Sequence, residues 1–337
     1  MTGGHIDKDH FRGCLIGGAA GDARGYHVHE GTKDLISDNT QMSIFTADGL
    51  VWADDRAKRR GIYAYTSCLF YSYQKWYYTQ TGNLADKDYK FILGGSVLEY
   101  DELFARRGAG ETGLNALGNS IKNAYGTLER PVNNAATCGC VMRVAPIGLY
   151  FADDAEMAFR IGRESAALTH GHEAATLSAG YFAALVSYLL QGKDMMGAVE
   201  ASLSLLDGTS GGSAVSANLE RAVALTEKKK LAPRAAIETI GEGFIAPEAV
   251  AIATYIALRF EHDFEGAVNA AMDFDGNTDT IAPLCGNLVG SIVGVLEIPA
   301  KWVLDLELAA LIIQGADILL ERVREHLTDE AAPRKAR

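Results

Sequence analysis

The chain has 337 residues, of which 48% are hydrophobic and 22% are charged, a composition typical of a globular protein with a large core. Its net charge of −12, with basic residues spread among acidic ones, argues against nucleic acid as the main partner. No apolar run is long enough to cross a membrane, and the N-terminal segment lacks the pattern of a signal peptide. Five scattered cysteines predict reduced thiols and a cytoplasmic protein.

Apolar residues recur at three- and four-residue spacing along almost the whole chain, and only seven prolines interrupt it. This periodicity predicts helices over residues 9–23, 38–58, 62–80, 112–124, 153–166, 172–191, 195–206, 214–229, 234–241, 247–260, 264–273, 279–296 and 307–327. The longest turn-rich stretches are 24–37, 82–111, 126–141 and 207–213. The fold class is therefore predicted to be all-α, a single compact bundle of orthogonally packed helices over residues 1–327. Residues 328–337 are predicted to be a frayed polar tail.

Small residues lie at unusual positions within two of these helices. Residues 17–21 read Gly-Gly-Ala-Ala-Gly, and Gly286, Gly290 and Gly294 follow one another at four-residue spacing. Small side chains at this spacing allow two helix backbones to approach closely. The pattern predicts that these helices are central and tightly packed.

Two short polar segments, residues 37–42 and 275–280, each open an apolar helix. Ser, Asp, Asn and Thr are the preferred N-cap residues, so each segment alone could merely begin its helix. The same side chains are hard oxygen donors, which divalent cations such as Mg²⁺ select. Both interpretations remain open on the pattern alone.

Several segments along the chain resemble those of the ADP-ribosylglycohydrolases, the family that includes dinitrogenase reductase-activating glycohydrolase. The similar segments are Gly13–Gly25, Asp38–Met42, Arg106–Thr112, Cys138–Leu149, Thr169–His172 and Asp275–Thr280. They occur in the family's order and span nearly the whole chain. The resemblance implies a hydrolase that cleaves the glycosidic bond of ADP-ribose conjugates, with ADP-ribose or an ADP-ribosylated acceptor as its partner.

The resemblance also implies one or two Mg²⁺ ions between the two polar segments. Their ligands would come from two triplets: Ser37, Asp38 and Asn39, and Asn277, Asp279 and Thr280. Asp38 and Asp279 would also act in catalysis, because carboxylates stabilise the oxocarbenium-like transition state of glycoside cleavage. Asp22 is predicted to support a neighbouring polar segment by hydrogen bonding.

The resemblance further implies that a loop presents backbone N–H groups to the diphosphate or the distal ribose. The residues expected to bind substrate are Thr137, Cys138, Gly139, Cys140, Val141, Met142, His170 and Gly276. Loop packing is an alternative role for the two cysteines. Helix capping or a buried structural position is an alternative for His170 and for the nearby His172.

This chain departs from the family's pattern at three positions. Asn39 and Asn277 stand where the family usually has aspartate, and His29 stands near the place of a glutamate. Either Glu30 substitutes after a shift of one residue, or His29 supplies the proton-transfer group, or His27 and His29 are surface residues of a loop without a role in the site. The lost charge predicts that one metal is weakly held or absent, and that aspartate at 39 and 277 raises metal affinity.

Two functions therefore follow. The first is a Mg²⁺-dependent ADP-ribosyl hydrolase with altered metal ligands. The second is a protein that binds ADP-ribose and has lost turnover. The retention of Asp38, Asp279, Ser37 and Thr280 favours the enzyme.

Overall fold

The computed structural model describes residues 4–31 and 35–328, without the side chains of His29 and Glu30. Within these residues the regular structure is helical, and the sole β-type pairing is one antiparallel bridge between Thr137 and Ile245. The first α-helices are α1 (Lys8–Glu30), α2 (Asp38–Arg60), α3 (Tyr65–Thr81), α4 (Glu111–Gly118), α5 (Ala145–Tyr150), α6 (Ala155–Ala167) and α7 (Glu173–Leu190). The remaining ones are α8 (Met195–Ser204), α9 (Gly212–Thr226), α10 (Pro233–Ile240), α11 (Ala246–Arg259), α12 (Phe264–Met272), α13 (Thr278–Val293) and α14 (Ala309–Thr328). The prediction of an all-α fold is confirmed.

Three parts of the chain differ from the predicted elements. Residues 24–30 were predicted to be turn-rich, yet they form the last turns of α1, which ends at the left-handed residue Gly31 (φ 65°). The short helix α5 was not predicted, because its six residues are too few to show a periodicity. The helix predicted over 112–124 is too long, because α4 ends at Gly118 and the left-handed backbone of Lys122 and Asn123 (φ 52° and 60°) cannot continue a helix. The stretch 82–111 was predicted to be turn-rich and holds three 3₁₀ turns, Lys87–Ile92, Ser96–Glu99 and Asp101–Phe104. In the predicted tail, Thr328 is the last residue of α14 and the rest lies outside the described residues.

The glycine-rich helices α1 and α13 pack against each other at the centre of the fold, as predicted. A Cβ atom added at Gly17 would lie 2.3 Å from the Gly286 carbonyl oxygen, and one at Gly286 would lie 2.0 Å from the Gly17 oxygen. Gly13 and Gly290 meet in the same way. Only glycine allows this backbone contact, so the pair fixes the position of α13 relative to α1.

One helix, α7, is long and apolar enough to cross a membrane by length and composition. However, 89% of it is buried inside the protein. It therefore has the character of a central core helix, and the five cysteines, all of them free, are buried in the same core.

The carboxylate of Asp54 on α2 is fully buried and anchors the C-terminal end of α14. It accepts hydrogen bonds from Tyr150 (3.0 Å) and from His326 Nε2 (2.6 Å), and it pairs with Lys58 (3.1 Å) and Arg322 (3.3 Å). Burial alone would raise its pKa, but the hydrogen bonds from His326 and Lys58 lower the pKa to about 2.

Asp54→Asn is expected to reduce the free energy of unfolding at pH 7 by about 2 kcal/mol. The ionised carboxylate of Asp54 stabilises the folded protein at pH values above about 4, the pKa of Asp in the unfolded chain. This contribution is lost as the pH falls toward 2, the pKa of Asp54 in the folded protein. The gap between wild type and variant should therefore close between about pH 4 and pH 2 in urea unfolding curves. Asp207→Asn is the control variant, because Asp207 is exposed. A gap that is the same at pH 3 and pH 7 would contradict this role of Asp54.

Candidate active site

The first polar segment is held by the buried carboxylate of Asp22 on α1. That carboxylate accepts hydrogen bonds from the backbone and the hydroxyl of Ser37 (2.8 and 2.5 Å) and from those of Thr40 (3.1 and 2.6 Å). Burial raises the pKa of Asp22 to about 6 against the effect of these bonds. Ser37 is the N-cap of α2 and its Oγ accepts from Asn39 N–H. The N-cap interpretation is thus confirmed for Ser37, and the metal-ligand interpretation of this segment stays a prediction.

Asp38 begins α2 with its side chain almost completely buried. Its backbone N–H donates to the carbonyl of Arg107 (2.9 Å), and its carboxylate accepts from the N–H of Gly110 (3.2 Å). Burial, and the nearby charges of Asp22 and Asp279, raise the pKa of Asp38 well above its ordinary value. The carboxylates of Asp38 and Asp279, which are far apart in the chain, therefore share this site.

The loop that contacts Asp38 is fixed by an ion pair between Arg107 and Glu307. The Arg107 guanidinium also donates to the carbonyl of Ile36 (3.0 Å), and the Glu307 carboxylate accepts from the N–H of the same residue (3.2 Å). The pair is mostly buried. It ties the segment before α2 to the chain that precedes α14.

The side chain of Asn39 is oriented by its neighbour. Its Nδ2 donates to Ser37 Oγ (2.9 Å), while its Oδ1 is buried and accepts no hydrogen bond. A buried oxygen without a donor is costly unless a ligand completes it. Asn39 Oδ1 is therefore a buried acceptor whose hydrogen-bonding capacity is unused.

The second polar segment meets the first across the site. Asn277 donates its backbone N–H to Glu242 O (2.9 Å), and its amide donates to Cys138 Sγ (2.9 Å) and Gly243 O (3.2 Å). Cys138 Sγ lies 3.7 Å from Thr280 Oγ1, and burial raises the pKa of its thiol to about 11. The thiol is thus neutral and packs as part of the site wall.

A chain of hydrogen bonds runs from the buried Arg143 to the surface of the site. Arg143 Nη2 donates to Thr169 Oγ1 (2.7 Å), which lies 2.8 Å from His170 Nδ1, and His170 Nε2 lies 2.9 Å from Thr137 Oγ1. Burial and the charge of Arg143 lower the pKa of His170 to about 3, so the imidazole is neutral. Two acceptors are open to the Thr169 hydroxyl, Ala166 O at 3.5 Å and His170 Nδ1 at 2.8 Å, and we assign its proton to the shorter contact with His170 Nδ1. Nε2–H then donates to Thr137, whose own hydroxyl proton is left for a ligand.

These parts surround one cavity of about 540 Å³, a size suited to a small-molecule ligand. Of the predicted site residues, those that line it are Asp38, Asn39, Thr137, Cys138, Gly139, Met142, His170, Gly276, Asn277, Asp279 and Thr280. Three others do not line it: Ser37, which is buried beneath Asp38, and Cys140 and Val141, which are buried under the loop. Cys140 therefore has the packing role that was the alternative for it.

The three histidines considered for the site lie in different places. His170 lines the cavity, whereas His172 is the N-cap of α7 and accepts from the Ala174 N–H (3.2 Å). His29 and Glu30 lie on the last turn of α1, and their side chains fall outside the described residues. Near them, Tyr26 on the same helix lines the cavity.

Sequence analysis missed several residues of the cavity, above all Tyr26, Trp76 and Phe244. The Phe244 side chain is 54% exposed although it is large and apolar. Its carbonyl accepts from the Cys138 N–H (3.1 Å), so the segment before α11 is joined to the loop at 137–138. A short irregular segment of this kind has no periodicity that would have revealed it.

The sequence profile of the ADP-ribosylglycohydrolase family matches residues 4–330 of the chain. The chain belongs to this family. It is 26% identical over 334 residues to the human ADP-ribosylhydrolase ARH3, with 87% of each chain covered. It is also 26% identical over 309 residues to an uncharacterized protein of Archaeoglobus fulgidus, which covers 88% of this chain and 90% of the relative.

A solved structure described as an ADP-ribosylglycohydrolase-related protein complex has the same fold. Its TM-score is 0.62 at 19% sequence identity, and the match covers 94% of this chain and 98% of the other. The identity is low, so this likeness supports the fold alone. Family membership makes the chain one of a group of hydrolases that act on ADP-ribose conjugates.

The oxygen donors around the cavity determine which cation it could hold. No group of three His, Cys, Asp or Glu side chains suited to a metal occurs in the described part of the chain. The two carboxylates are instead joined by neutral oxygens, including the buried Oδ1 of Asn39 that lacks a donor. A mixed set of carboxylate, amide and hydroxyl oxygens fits a hard cation such as Mg²⁺.

Proposed function

We propose that this chain hydrolyses the glycosidic bond of an ADP-ribose conjugate in the cavity between α2 and α13, with the help of a divalent cation. The observation that carries the proposal is that Asp38, Asn39 and Asp279 all line this cavity, while the buried Oδ1 of Asn39 has no hydrogen-bond donor. Together with Asn277 and Thr280, these residues would hold the cation. When bound, it supplies Lewis-acid chemistry that orients ribose hydroxyls and acidifies water.

The opposite wall supports binding of a phosphorylated ligand. The hydrogen-bond chain from Arg143 through His170 leaves the Thr137 hydroxyl as a donor to an acceptor such as a phosphate oxygen. The Cys138 N–H is already bonded to Phe244 O, so Gly139, which lines the cavity through its backbone, is the loop position best placed to add an N–H donor. Both groups are neutral donors that need no change of protonation to bind an anion.

The carboxylates suit the reacting end of the ligand. Cleavage at the anomeric carbon develops positive charge on the ribose ring, which a carboxylate stabilises. Asp38 is restrained by the Gly110 N–H and by the helix that it begins, so its oxygens keep their position during the reaction. The bond between the anomeric carbon and the acceptor breaks, the oxygen of a water molecule bonds to that carbon, and one proton of the water ends on the departing acceptor.

Phe244 is expected to form a stacking surface for the nucleobase, since a half-exposed aromatic ring lies on the cavity wall. Phe244→Ala should weaken the binding of ADP-ribose about tenfold, the effect of losing one base–aromatic stack. Isothermal titration calorimetry measures the change. Phe91→Ala removes a similarly exposed ring (58%) that does not line this cavity, and it should leave the affinity unchanged. Equal affinity for Phe244→Ala and wild type would contradict the stacking role.

The proposed function is tested by incubating the protein with peptides ADP-ribosylated on serine or arginine and with O-acetyl-ADP-ribose. Release of free ADP-ribose is expected from at least one of them with Mg²⁺ present, and chelation should stop it. Chromatography of the products measures release. Lack of release from every conjugate, with or without the metal, would overturn the hydrolase function.

The alternative is a protein that binds ADP-ribose without turnover. The amides at 39 and 277 favour it, because Asp38 and Asp279 are the two carboxylates that face the cavity among the side chains that the structure describes. Tight binding of ADP-ribose in calorimetry without release of product would support this alternative. Release in the presence of Mg²⁺ excludes it.

A further inference from the structure

A count of the negative charges at this site does not explain why residue 277 is an asparagine. We propose that Asn277 is a positioned neutral ligand of a single divalent cation: the anchored amide NH₂ fixes Oδ1 as the donor oxygen. The inference rests on the proposed function, because it concerns the cation of the same site. On this inference Asn277 helps to determine how many divalent cations the site binds.

The orientation of the amide follows from its partners. Gly243 O is a backbone carbonyl and can only accept a hydrogen bond, so the group 3.2 Å from it must be the NH₂ of Asn277. The second hydrogen of the same NH₂ points to Cys138 Sγ at 2.9 Å. With both hydrogens engaged, Oδ1 is the remaining polar atom of a side chain that lines the cavity.

Asn39 repeats this arrangement in the first segment. The single hydroxyl proton of Ser37 is donated to the carboxylate of Asp22 (2.5 Å), so Ser37 Oγ faces Asn39 as an acceptor. It receives Nδ2 of Asn39 at 2.9 Å, and the buried Oδ1 of Asn39 accepts no hydrogen bond. Both asparagines are therefore oriented through their NH₂ groups, Asn277 by two acceptors and Asn39 by one.

An aspartate at 277 does not fit the same surroundings. One carboxylate oxygen would replace the NH₂ and lie near Gly243 O, where two acceptors repel each other. Among the described side chains two carboxylates face the cavity, Asp38 and Asp279, and their charge balances one divalent cation. A count of charges predicts that aspartate at 277 raises the affinity for the metal. The geometry predicts that it does not.

The test compares Asn277→Asp with wild type and with Asn218→Asp, which adds the same charge on α9 at an amide that donates to Ala214 O. The melting temperature of each chelated protein is measured first, and Mn²⁺ binding is then followed by calorimetry. Asn277→Asp should lower the melting temperature by about 4 °C, while Asn218→Asp changes it little. Mn²⁺ affinity of Asn277→Asp should not exceed that of wild type.

An unchanged melting temperature, or Mn²⁺ binding at least about tenfold tighter in Asn277→Asp, would overturn the inference. If that variant does not fold, Asn277→Ala decides, since loss of Oδ1 should weaken Mn²⁺ binding about tenfold. Equal affinity of Asn277→Ala and wild type, or no Mn²⁺ binding by the wild-type chain, also overturns it. Wild type that binds Mn²⁺ but releases no ADP-ribose refutes the proposed function and leaves this test intact.

Discussion

Asp38→Asn is expected to reduce the release of ADP-ribose about 10³-fold while raising the melting temperature of the metal-free protein. The first effect follows because the variant removes one of the two carboxylates that face the cavity, the group that best stabilises positive charge at the anomeric carbon. The second follows because burial, and then the charges of Asp22 and Asp279, raise the pKa of Asp38, so that its ionised form is unfavourable in the folded protein. Active sites commonly hold such unfavourable arrangements for the sake of function.

Initial rates and differential scanning calorimetry measure the two effects. Asp275→Asn is the matched control, because Asp275 belongs to the second polar segment but its side chain is 93% exposed and pairs with Arg234. That control should keep the rate and the melting temperature of wild type. If Asp38→Asn retains more than about a tenth of the rate, the carboxylate is not essential and this account of the site is wrong.

Gly286→Ala is expected to destabilise the protein by about 3 kcal/mol, or to prevent folding at 37 °C. The new methyl group would lie 2.0 Å from the carbonyl oxygen of Gly17, so α1 and α13 must separate. Asp22 and Asp279 are carried by these two helices, and separation should also weaken ADP-ribose binding. Urea unfolding of wild type and variant gives the difference in free energy.

Gly315→Ala provides the comparison for this substitution. Gly315 lies on α14, and an added Cβ there meets no atom within 4 Å. Alanine at this helical position should be neutral or stabilise by about 0.5–1 kcal/mol. A loss of stability at Gly315 as large as at Gly286 would show that the close approach of α1 and α13 is not the cause.

The helical architecture could be predicted because its causes are local and periodic. Apolar spacing located most helices, and the glycines at 17, 286 and 290 identified the central pair, since only very small residues permit such contact. The extension of α1 to Glu30 was missed, because it depends on packing of Gly25 against the backbone of Thr278, far away in the chain.

The site could be predicted only in part. The two polar segments were recognised from their donors, and the support that Asp22 gives to the first one is confirmed by its four hydrogen bonds. The orientation of the amides was beyond prediction, since it depends on Gly243 O and Ser37 Oγ, one a backbone atom and the other a hydroxyl whose proton is already engaged. Phe244 was missed for a similar reason. The antiparallel bridge between Thr137 and Ile245 brings it to the cavity, and this bridge leaves no pattern in the sequence.

A crystal structure of the chain with Mn²⁺ and ADP-ribose, with anomalous diffraction data to locate the metal, tests the central claim most directly. The account predicts one strong anomalous peak between Asp38 and Asp279, with Asn277 Oδ1 as a ligand and the ribose against the metal. It also predicts the diphosphate near Thr137 and Gly139. ADP-ribose bound outside this cavity, or a cavity without a metal peak at saturating Mn²⁺, would contradict it.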